Sequence, residues 1–271
     1  MSIDIHSTYD LTAEQISAFE RDGFIKLANV LSPETLRYYG KEITRLTIAL
    51  NTQDTPMEER STYDKAFLQI MNLWKHSSKV AEFVMGRRLA QIAASLLRVS
   101  GVRLYHDQSL YKEPGGGITP AHADQYYWPM NSDRTITAWI PLQAVPQTMG
   151  PLGFYARSQS VKFGRDLGIS DESEEKISAN MAKHGFEFVS ISFDLGEVSF
   201  HLGWTFHKAA ANVSDHPRSV MTVIYMDEQI RLGNALSIAQ ENDRLQWCPE
   251  TLPGEKVTGI NNPVIYSTTT Q

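Results

Sequence analysis

The chain has 271 residues, of which 42% are hydrophobic and 21% are charged, a balance that excludes disordered, collagen-like and low-complexity proteins. Its formal net charge is −6, from 25 basic and 31 acidic residues. The basic residues are scattered along the chain, which argues against a nucleic-acid or anionic-membrane partner. A chain of this length can bury a sizeable core, so we expect a single domain over residues 1–271.

Cysteine content and hydropathy point to a cellular compartment. The single cysteine, Cys248, cannot form an intramolecular disulfide, which favours a reducing environment. The N-terminus has no apolar signal region, and no stretch approaches 18 uninterrupted apolar residues. We therefore expect a cytoplasmic protein without membrane spans. Its oligomeric state stays open.

The first part of the chain, residues 1–100, shows mainly helical patterning. Thr12 and Gln15 have the spacing of a capping box, and Ser32-Pro33 is typical of a helix start. Further expectations are a strand at 24–27, a loop at 51–65 and helices at 66–74 and 80–97. We interpret this part as a helical support region.

The pattern changes at residue 101 to short segments rich in β-branched and aromatic residues, separated by Gly, Pro, Asn and Asp. Many short strands with turn signals predict a mainly β fold with flanking helices, whose core is a jelly roll, or double-stranded β-helix. That core is assigned to residues 101–230, with a polar helical insertion at 166–185 and a C-terminal extension at 231–271. The predicted strands are 102–105, 108–111, 135–142, 186–193, 198–202 and 219–226.

One triplet stands out among the histidines: His122, Ala123 and Asp124 are the only H-x-[DE] sequence in the chain. Eight histidines and 31 acidic residues supply about one such triplet by chance, so a turn histidine beside a solvated aspartate explains it equally well. The triplet follows the Gly-rich turn GGGITP and precedes an aromatic cluster. Alternate residues of an extended segment point to one side, so His122 and Asp124 can bind one metal ion together.

A third ligand must come from the stretch that contains His201, His207 and His216. Two histidines and one carboxylate on one face of iron form the triad of non-haem Fe(II) oxygenases, which leaves positions open for 2-oxoglutarate and O₂. His207 is followed eleven residues later by Arg218, and a guanidinium suits the distal carboxylate of 2-oxoglutarate. His201, the main rival, lies in an apolar strand pattern where histidines are usually structural. Arg218 by itself is also explained as a surface residue after a turn.

This combination resembles the phytanoyl-CoA dioxygenase family of Fe(II)/2-oxoglutarate-dependent oxygenases, whose pattern is H-x-D, a distal histidine and an arginine eleven residues beyond it. The similarity runs from about residue 11 to residue 226 and includes LTAEQISAFERDGFIKLANVLSPETL and HADQYYWPMNSDRTITAWIPL. The resemblance implies that His122, Asp124 and His207 ligate Fe(II), and that Arg218 binds the distal carboxylate of 2-oxoglutarate. The implied cofactors are Fe(II), 2-oxoglutarate and O₂.

Three further co-substrate contacts are predicted from the resemblance. Trp139 matches a family tryptophan near 2-oxoglutarate, although a core role fits it as well. Gln108 lies on the preceding strand, where a polar contact is common, but a solvated edge residue is the alternative. The family often has a small hydroxyl residue two positions after the distal histidine; here it is Ala209, so Thr137 is our candidate for that contact.

The predicted substrate wall consists of aromatic residues near the metal ligands, and it favours a small apolar or ring-bearing metabolite. These residues are Tyr126, Tyr127, Trp128 and Trp204. Core packing explains them equally well. The only basic pair, Arg87-Arg88, is too small a cluster for the phosphates of an acyl-CoA, although a CoA thioester stays open within the family.

The expected reaction is oxidation of a substrate C–H bond, with hydroxylation as the default and desaturation, cyclisation or epimerisation as alternatives. Because Asp124 is present, halogenation is not expected, since halogenating relatives replace this carboxylate with a small residue. Two other functions stay open. One is a catalytically silent jelly-roll binding module, and the other is a metal enzyme that does not use 2-oxoglutarate, which would leave Arg218 without a role.

Overall fold

A computed structural model describes residues 3–269 of the chain. Its helices are α1 (Ala13–Asp22), α2 (Pro33–Leu50), α3 (Thr62–Ala66), α4 (Ser78–Val84), α5 (Arg87–Leu97), α6 (Asp171–Lys183) and α7 (Ile238–Trp247). Its strands are β1 (Phe24–Leu27), β2 (Leu68–Met71), β3 (Gly101–Lys112), β4 (Thr119–His122), β5 (Thr135–Pro141), β6 (Leu152–Tyr155), β7 (Phe188–Ser190), β8 (Val198–Leu202), β9 (His207–Ala209), β10 (Arg218–Asp227) and β11 (Val264–Ser267).

The strands form two antiparallel sheets. The larger has seven strands in the order β1-β8-β5-β10-β3-β11, with β2 also paired to β3, and the smaller has the order β4-β9-β6-β7. Neighbouring strands are mostly distant in sequence, as is typical of a double-stranded β-helix. The predicted mainly β fold with flanking helices is therefore confirmed.

Alternation along β5 shows how the large sheet separates core from cavity. Ile136, Ala138 and Ile140 point to one face and pack in the main hydrophobic core with the N-terminal helices. Thr137 and Trp139 point to the other face and line the central cavity. Because successive side chains of a strand alternate, one sheet serves both purposes.

The helices that cover the outer face begin where the sequence predicts. Thr12 and Gln15 form a capping box at the start of α1, and the Ser32 side chain caps α2, whose first residue is Pro33. One face of α2, which includes Leu36, Tyr39, Ile43 and Leu46, is buried in the core. Of the helices within residues 3–269, none is both long and apolar enough to cross a membrane.

Several predicted elements differ from the structure. The strands predicted at 102–105 and 108–111 are one continuous strand, β3, because the intervening His106 and Asp107 are buried inside it. The helix predicted at 66–74 is wrong, since β2 pairs there with β3. The strand predicted at 186–193 is shorter, and the loop predicted at 51–65 contains a 3₁₀ turn and most of α3.

The chain segments outside the predicted jelly-roll core also contribute strands. β1 pairs with β8. β2 pairs with the second half of β3, and β11 pairs with the first residues of β3. The insertion at 166–185 contains α6, which is attached to β4 because Glu174 accepts a hydrogen bond of 2.8 Å from the backbone N–H of Ala121. Of these segments, β2 contributes Gln69 and Met71 to the lining of the central cavity.

Candidate active site

A cavity that is partly open to solvent lies on the inner face of the large sheet. Most of the residues that the sequence singled out line it. They are His122, Asp124, His207, Arg218, Trp139, Gln108, Thr137, Tyr127 and Trp128.

The metal-binding candidates converge at one end of this cavity. His122 ends β4 and His207 begins β9, and the antiparallel register places these two residues opposite each other. Nε2 of His122 and Nε2 of His207 each lie 3.5 Å from Oδ1 of Asp124. The potential ligand atoms of the three residues all lie within 4.8 Å of one another. Two imidazoles and one carboxylate can therefore bind one ion.

Hydrogen bonds on the far side of each ring leave the ligand atoms free. Nδ1 of His122 lies 2.7 Å from the carbonyl oxygen of Pro120, and Nδ1 of His207 lies 2.9 Å from that of Thr205. A carbonyl can only accept, so Nδ1 carries the proton in both rings. The lone pair of each Nε2 then faces Asp124, which is the arrangement common for metal-ligating histidines.

The second oxygen of Asp124 is held by two neighbouring strands. Thr137 donates a hydrogen bond of 3.0 Å to Oδ2, and Nε2 of His201 lies 3.2 Å from the same atom. Thr137 on β5 and His201 on β8 are direct register partners, so both reach one carboxylate oxygen. Oδ2 is therefore occupied by protein contacts, and Oδ1 faces the two ligand histidines.

The protonation states at this end suit a divalent cation. Burial opposes ionisation of Asp124, but the neighbouring His207, His122 and His201 outweigh it and hold the pKa of the carboxyl well below its usual range. Burial, together with the nearby His122, lowers the pKa of His207 well below its usual value. An ionised carboxylate beside a neutral imidazole is the state that binds a metal ion.

Arg218 is a buried cation without an anionic partner. Its side chain is 1% exposed, its guanidinium lies 5.4 Å from the ring centroid of Trp139, and one of its nitrogens donates to the carbonyl of Gly150. Its Nε has no hydrogen-bond partner, and no carboxylate within residues 3–269 forms an ion pair with it. Burial lowers its pKa to about 9, so it stays charged at neutral pH. An unpaired buried guanidinium beside a cavity is the feature that a carboxylate ligand would satisfy.

A second buried amine lies next to Arg218. Lys112 is the register partner of Arg218, and it donates to the carbonyl of Gly117 and to the hydroxyl of Thr119, which lines the cavity. Burial, and then the charge of Arg218, lowers the pKa of Lys112 to about 6. Lys112 is therefore mainly neutral at pH 7 and orients Thr119 rather than adding a second positive charge.

The three further co-substrate candidates, Trp139, Gln108 and Thr137, contact different groups in the cavity. Trp139 lies against Arg218, and Gln108 lines the cavity and accepts a hydrogen bond of 2.5 Å from Gln69. The hydroxyl of Thr137 donates to the metal-binding carboxylate of Asp124, and its predicted co-substrate contact stays a prediction.

Two of the four predicted substrate residues do not line the cavity. Tyr126 lies against Gly168 and packs edge-on against Tyr127. Trp204 lies outside the cavity, with the Arg165 guanidinium 4.2 Å from its ring centroid. Their closeness to the ligands in sequence predicted a wall position, but the 3₁₀ turn after Asp124 and the turn before His207 direct these rings elsewhere.

Most of the remaining substrate end comes from segments that contain no predicted site residue. Tyr63, Phe67 and Gln69 reach the cavity from α3 and β2, and Asp243 reaches it from α7. His106, on β3, lines the cavity as well. No local spacing connects these positions, so the only available signal was their residue type.

Comparison with known proteins gives the family of the chain. The model of the family described as phytanoyl-CoA dioxygenase (PhyH) matches residues 19–220. The chain belongs to the phytanoyl-CoA dioxygenase family. It is a non-haem Fe(II)/2-oxoglutarate-dependent oxygenase, as the sequence predicted, and iron, 2-oxoglutarate and O₂ are the cofactors of this class.

Individual relatives agree with this placement. An ectoine dioxygenase of Bordetella bronchiseptica is 25% identical over 238 residues, which cover 79% of this chain and 75% of that protein. An ectoine dioxygenase of Nocardia farcinica is 30% identical over 88 residues, or 32% of this chain, and this match spans 30% of that protein. The fold is shared with the epimerase SnoN in complex with Fe³⁺, alpha ketoglutarate and nogalamycin RO, at a TM-score of 0.77 and 23% identity, covering 93% of this chain and 97% of that one.

Proposed function

We propose that this protein hydroxylates a small, ring-bearing metabolite, with Fe(II) held by His122, Asp124 and His207 and with 2-oxoglutarate held by Arg218. The observation that carries this proposal is that one cavity contains both the His-Asp-His cluster and a buried guanidinium without a counterion. A metal site alone does not need the arginine, and a binding module without chemistry does not need the three ligands.

In the proposed reaction, different residues orient the metal ligands and bind 2-oxoglutarate. Bound Fe(II) supplies the activation of O₂ at the expense of 2-oxoglutarate, which is converted to succinate and CO₂. The carbonyls of Pro120 and Thr205 orient the two imidazoles, while Thr137 and His201 orient Asp124. Arg218 and the face of Trp139 position the distal carboxylate. These contacts would hold the bound ion at a fixed place relative to the substrate end.

The lining of the cavity supports a small, ring-bearing substrate. Tyr63, Phe67, Tyr127 and Trp128 give it aromatic walls. Among the described lining residues Arg218 is the only lysine or arginine, and it is assigned to 2-oxoglutarate. The cavity therefore offers no further lysine or arginine for the phosphates of a CoA thioester. Two relatives are named ectoine dioxygenases, which makes ectoine one compound to test.

The same coordination chemistry supports other outcomes, and the SnoN structure is described as that of an epimerase. We propose hydroxylation because both named sequence relatives are dioxygenases. Incorporation of ¹⁸O from ¹⁸O₂ into the product separates hydroxylation from epimerisation, cyclisation and desaturation, which leave no new oxygen in the product.

The test begins without oxygen. The protein is titrated with Fe(II) and then with 2-oxoglutarate, O₂ is admitted, and succinate is measured with and without a panel of ring-bearing metabolites that includes ectoine. We expect succinate only when both iron and 2-oxoglutarate are present, and more of it with the true substrate. Absence of succinate from protein that has bound iron would refute the proposed function.

We also propose that the protein works in the cytoplasm, as a small-molecule enzyme without a nucleic-acid partner. The support is its single cysteine, Cys248, which is buried and unpaired, and the net charge of −6 without a basic cluster.

A further inference from the structure

The substrate end of the cavity carries an ionisable group that the reaction described above does not use. Asp243 lies on α7 and lines the cavity, and its Oδ2 accepts a hydrogen bond of 2.7 Å from the hydroxyl of Tyr105. Within residues 3–269 no lysine, arginine or histidine forms an ion pair with this carboxyl group. Its position leaves it facing the space where a substrate would lie.

The environment of Asp243 shows that it lacks a counterion. Burial raises its pKa to about 7, the charge of Asp124 adds to this, and the hydrogen bond from Tyr105 opposes it. The influence of Asp124 also places Asp243 within electrostatic range of the metal ligands. A carboxyl group in this state is stabilised as a carboxylate when a cation binds beside it.

The groups around Asp243 at this end are neutral at pH 7. Burial lowers the pKa of His106 to about 4, and His106 stacks on Trp247 with ring centroids 4.9 Å apart. Its Nδ1 is buried and has no hydrogen-bond partner among the described residues. Burial raises the pKa of Tyr63 and of Tyr127 above its usual value, so both phenols keep their protons.

The charges at the opposite end of the cavity balance when the cofactors are bound. The three positive charges of Fe(II) and Arg218 equal the three negative charges of Asp124 and 2-oxoglutarate. In its ionised form, Asp243 is then the one charged lining group within the described residues that has no opposite charge beside it. The aromatic residues Tyr63, Tyr127 and Trp128 line the same cavity, and aromatic rings attract cations.

We propose that the substrate carries a protonated nitrogen on a compact carbon frame, and that Asp243 binds this nitrogen between the aromatic walls of the cavity. This inference rests on the proposed function, because it names the substrate class of the same site. It makes Asp243 a specificity-determining residue, since the carboxylate would discriminate against a neutral or anionic molecule of the same shape.

The test uses three ring probes of similar size and different charge. Under nitrogen, protein loaded with Fe(II) and 2-oxoglutarate is titrated calorimetrically at pH 7.5 with cyclohexylamine, cyclohexanol and cyclohexanecarboxylate. We expect the amine to bind about 10-fold or more tightly than the alcohol, as hydrogen bonds to charged groups generally provide. We expect the carboxylate to bind most weakly.

Matched variants locate the effect. Asp243→Asn removes the charge and should reduce the preference for the amine to less than about 3-fold. Glu241→Gln removes a charge from the same helix, where Glu241 pairs with Arg244 outside the cavity, and should leave the preference unchanged. The comparison within wild-type protein stands even where Asp243→Asn folds poorly.

Three results would overturn this inference: no measurable binding of the amine, equal binding of the amine and the alcohol, or an amine preference that survives in folded Asp243→Asn. Succinate formed from 2-oxoglutarate by the same preparation, without added substrate, reports separately on the proposed function. Succinate without an amine preference refutes only the substrate class, whereas iron-loaded protein that forms no succinate with any compound refutes the function itself.

Discussion

The metal end of the cavity is built by strands of the two sheets, whereas the substrate end is built largely by segments attached to their margins. His122, His207, Thr137 and His201 sit in fixed register on β4, β9, β5 and β8. Tyr63 and Asp243 come from α3 and α7. The position of the metal ligands is therefore set by the sheets, whereas substrate choice depends on attached segments that can change without disturbing the sheets.

Removal of the carboxylate ligand at the metal end should have the largest effect on iron binding, and removal of a carboxylate at the substrate end should have none. We expect Asp124→Ala to weaken Fe(II) binding by more than about 100-fold, because loss of contacts that merely orient a ligand already costs about 10–100-fold. Succinate formation should fall below detection. Chelator competition measures the iron affinity. Asp243→Asn is the control from the other end, and its iron affinity should equal that of the wild type; near-normal iron binding by Asp124→Ala would remove Asp124 from the site.

Loss of the buried guanidinium should separate co-substrate binding from metal binding. We expect Arg218→Ala to raise the Kd for 2-oxoglutarate by about 100-fold or more, since breaking a buried ion pair costs about 3–5 kcal/mol. Iron affinity should change little. Anaerobic calorimetry with 2-oxoglutarate measures the effect. If wild type and variant bind 2-oxoglutarate equally well, Arg218 does not hold its distal carboxylate.

Loss of the hydrogen bond from Thr137 to Asp124 should have an intermediate effect on iron binding. We expect Thr137→Val to lower Fe(II) affinity by about 10–100-fold, because Oδ2 of Asp124 loses the hydroxyl that orients it. Thr137→Ser keeps the hydroxyl and should restore most of the affinity. Should Thr137→Val instead raise the Kd for 2-oxoglutarate and spare iron, the original co-substrate role of Thr137 would be supported.

The smallest expected effect is on the stability of the protein, through the contact between β3 and the segment that follows β2. Asp107 on β3 is buried and accepts hydrogen bonds from the backbone N–H groups of Leu73, at 2.9 Å, and of Trp74, at 3.5 Å. Burial raises the pKa of Asp107 to about 7. The folded state therefore holds a proton that the unfolded state releases, and this group makes the protein less stable as the pH rises from about 4 to 7.

Asp107→Asn should reduce that pH dependence. For this one group, the free energy of unfolding falls by at most about 1.4 kcal/mol per pH unit, a change that the neutral amide cannot undergo. Urea unfolding at pH 5 and at pH 7.5 measures it, and relative to the wild type the variant should gain stability at the higher pH. An unchanged difference between the two pH values would show that Asp107 ionises normally in the folded protein.

The sequence by itself predicted the fold class and the residues of the metal end. The alternation of short strands and turns indicated a double-stranded β-helix, and the spacing of His122, Asp124, His207 and Arg218 indicated the chemistry. The predicted fold class is confirmed, and the structure brings His122, Asp124 and His207 together as the spacing indicated. The assignment of Arg218 to 2-oxoglutarate stays a prediction. H-x-D lies within one segment, and the distance from the second histidine to the arginine follows the path between two neighbouring elements. Local spacing of this kind survives in the primary sequence.

Only the tertiary structure decided the substrate end and the finer roles. Tyr126 and Trp204 are close to the ligands along the chain but turn away from the cavity, while Asp243 is distant along the chain and faces it. Thr137 contacts Asp124 because β5 pairs with β8 in one particular register. Strand register, the direction of a turn and the docking of a distant helix result from packing over the whole molecule, so no short stretch of sequence specifies them.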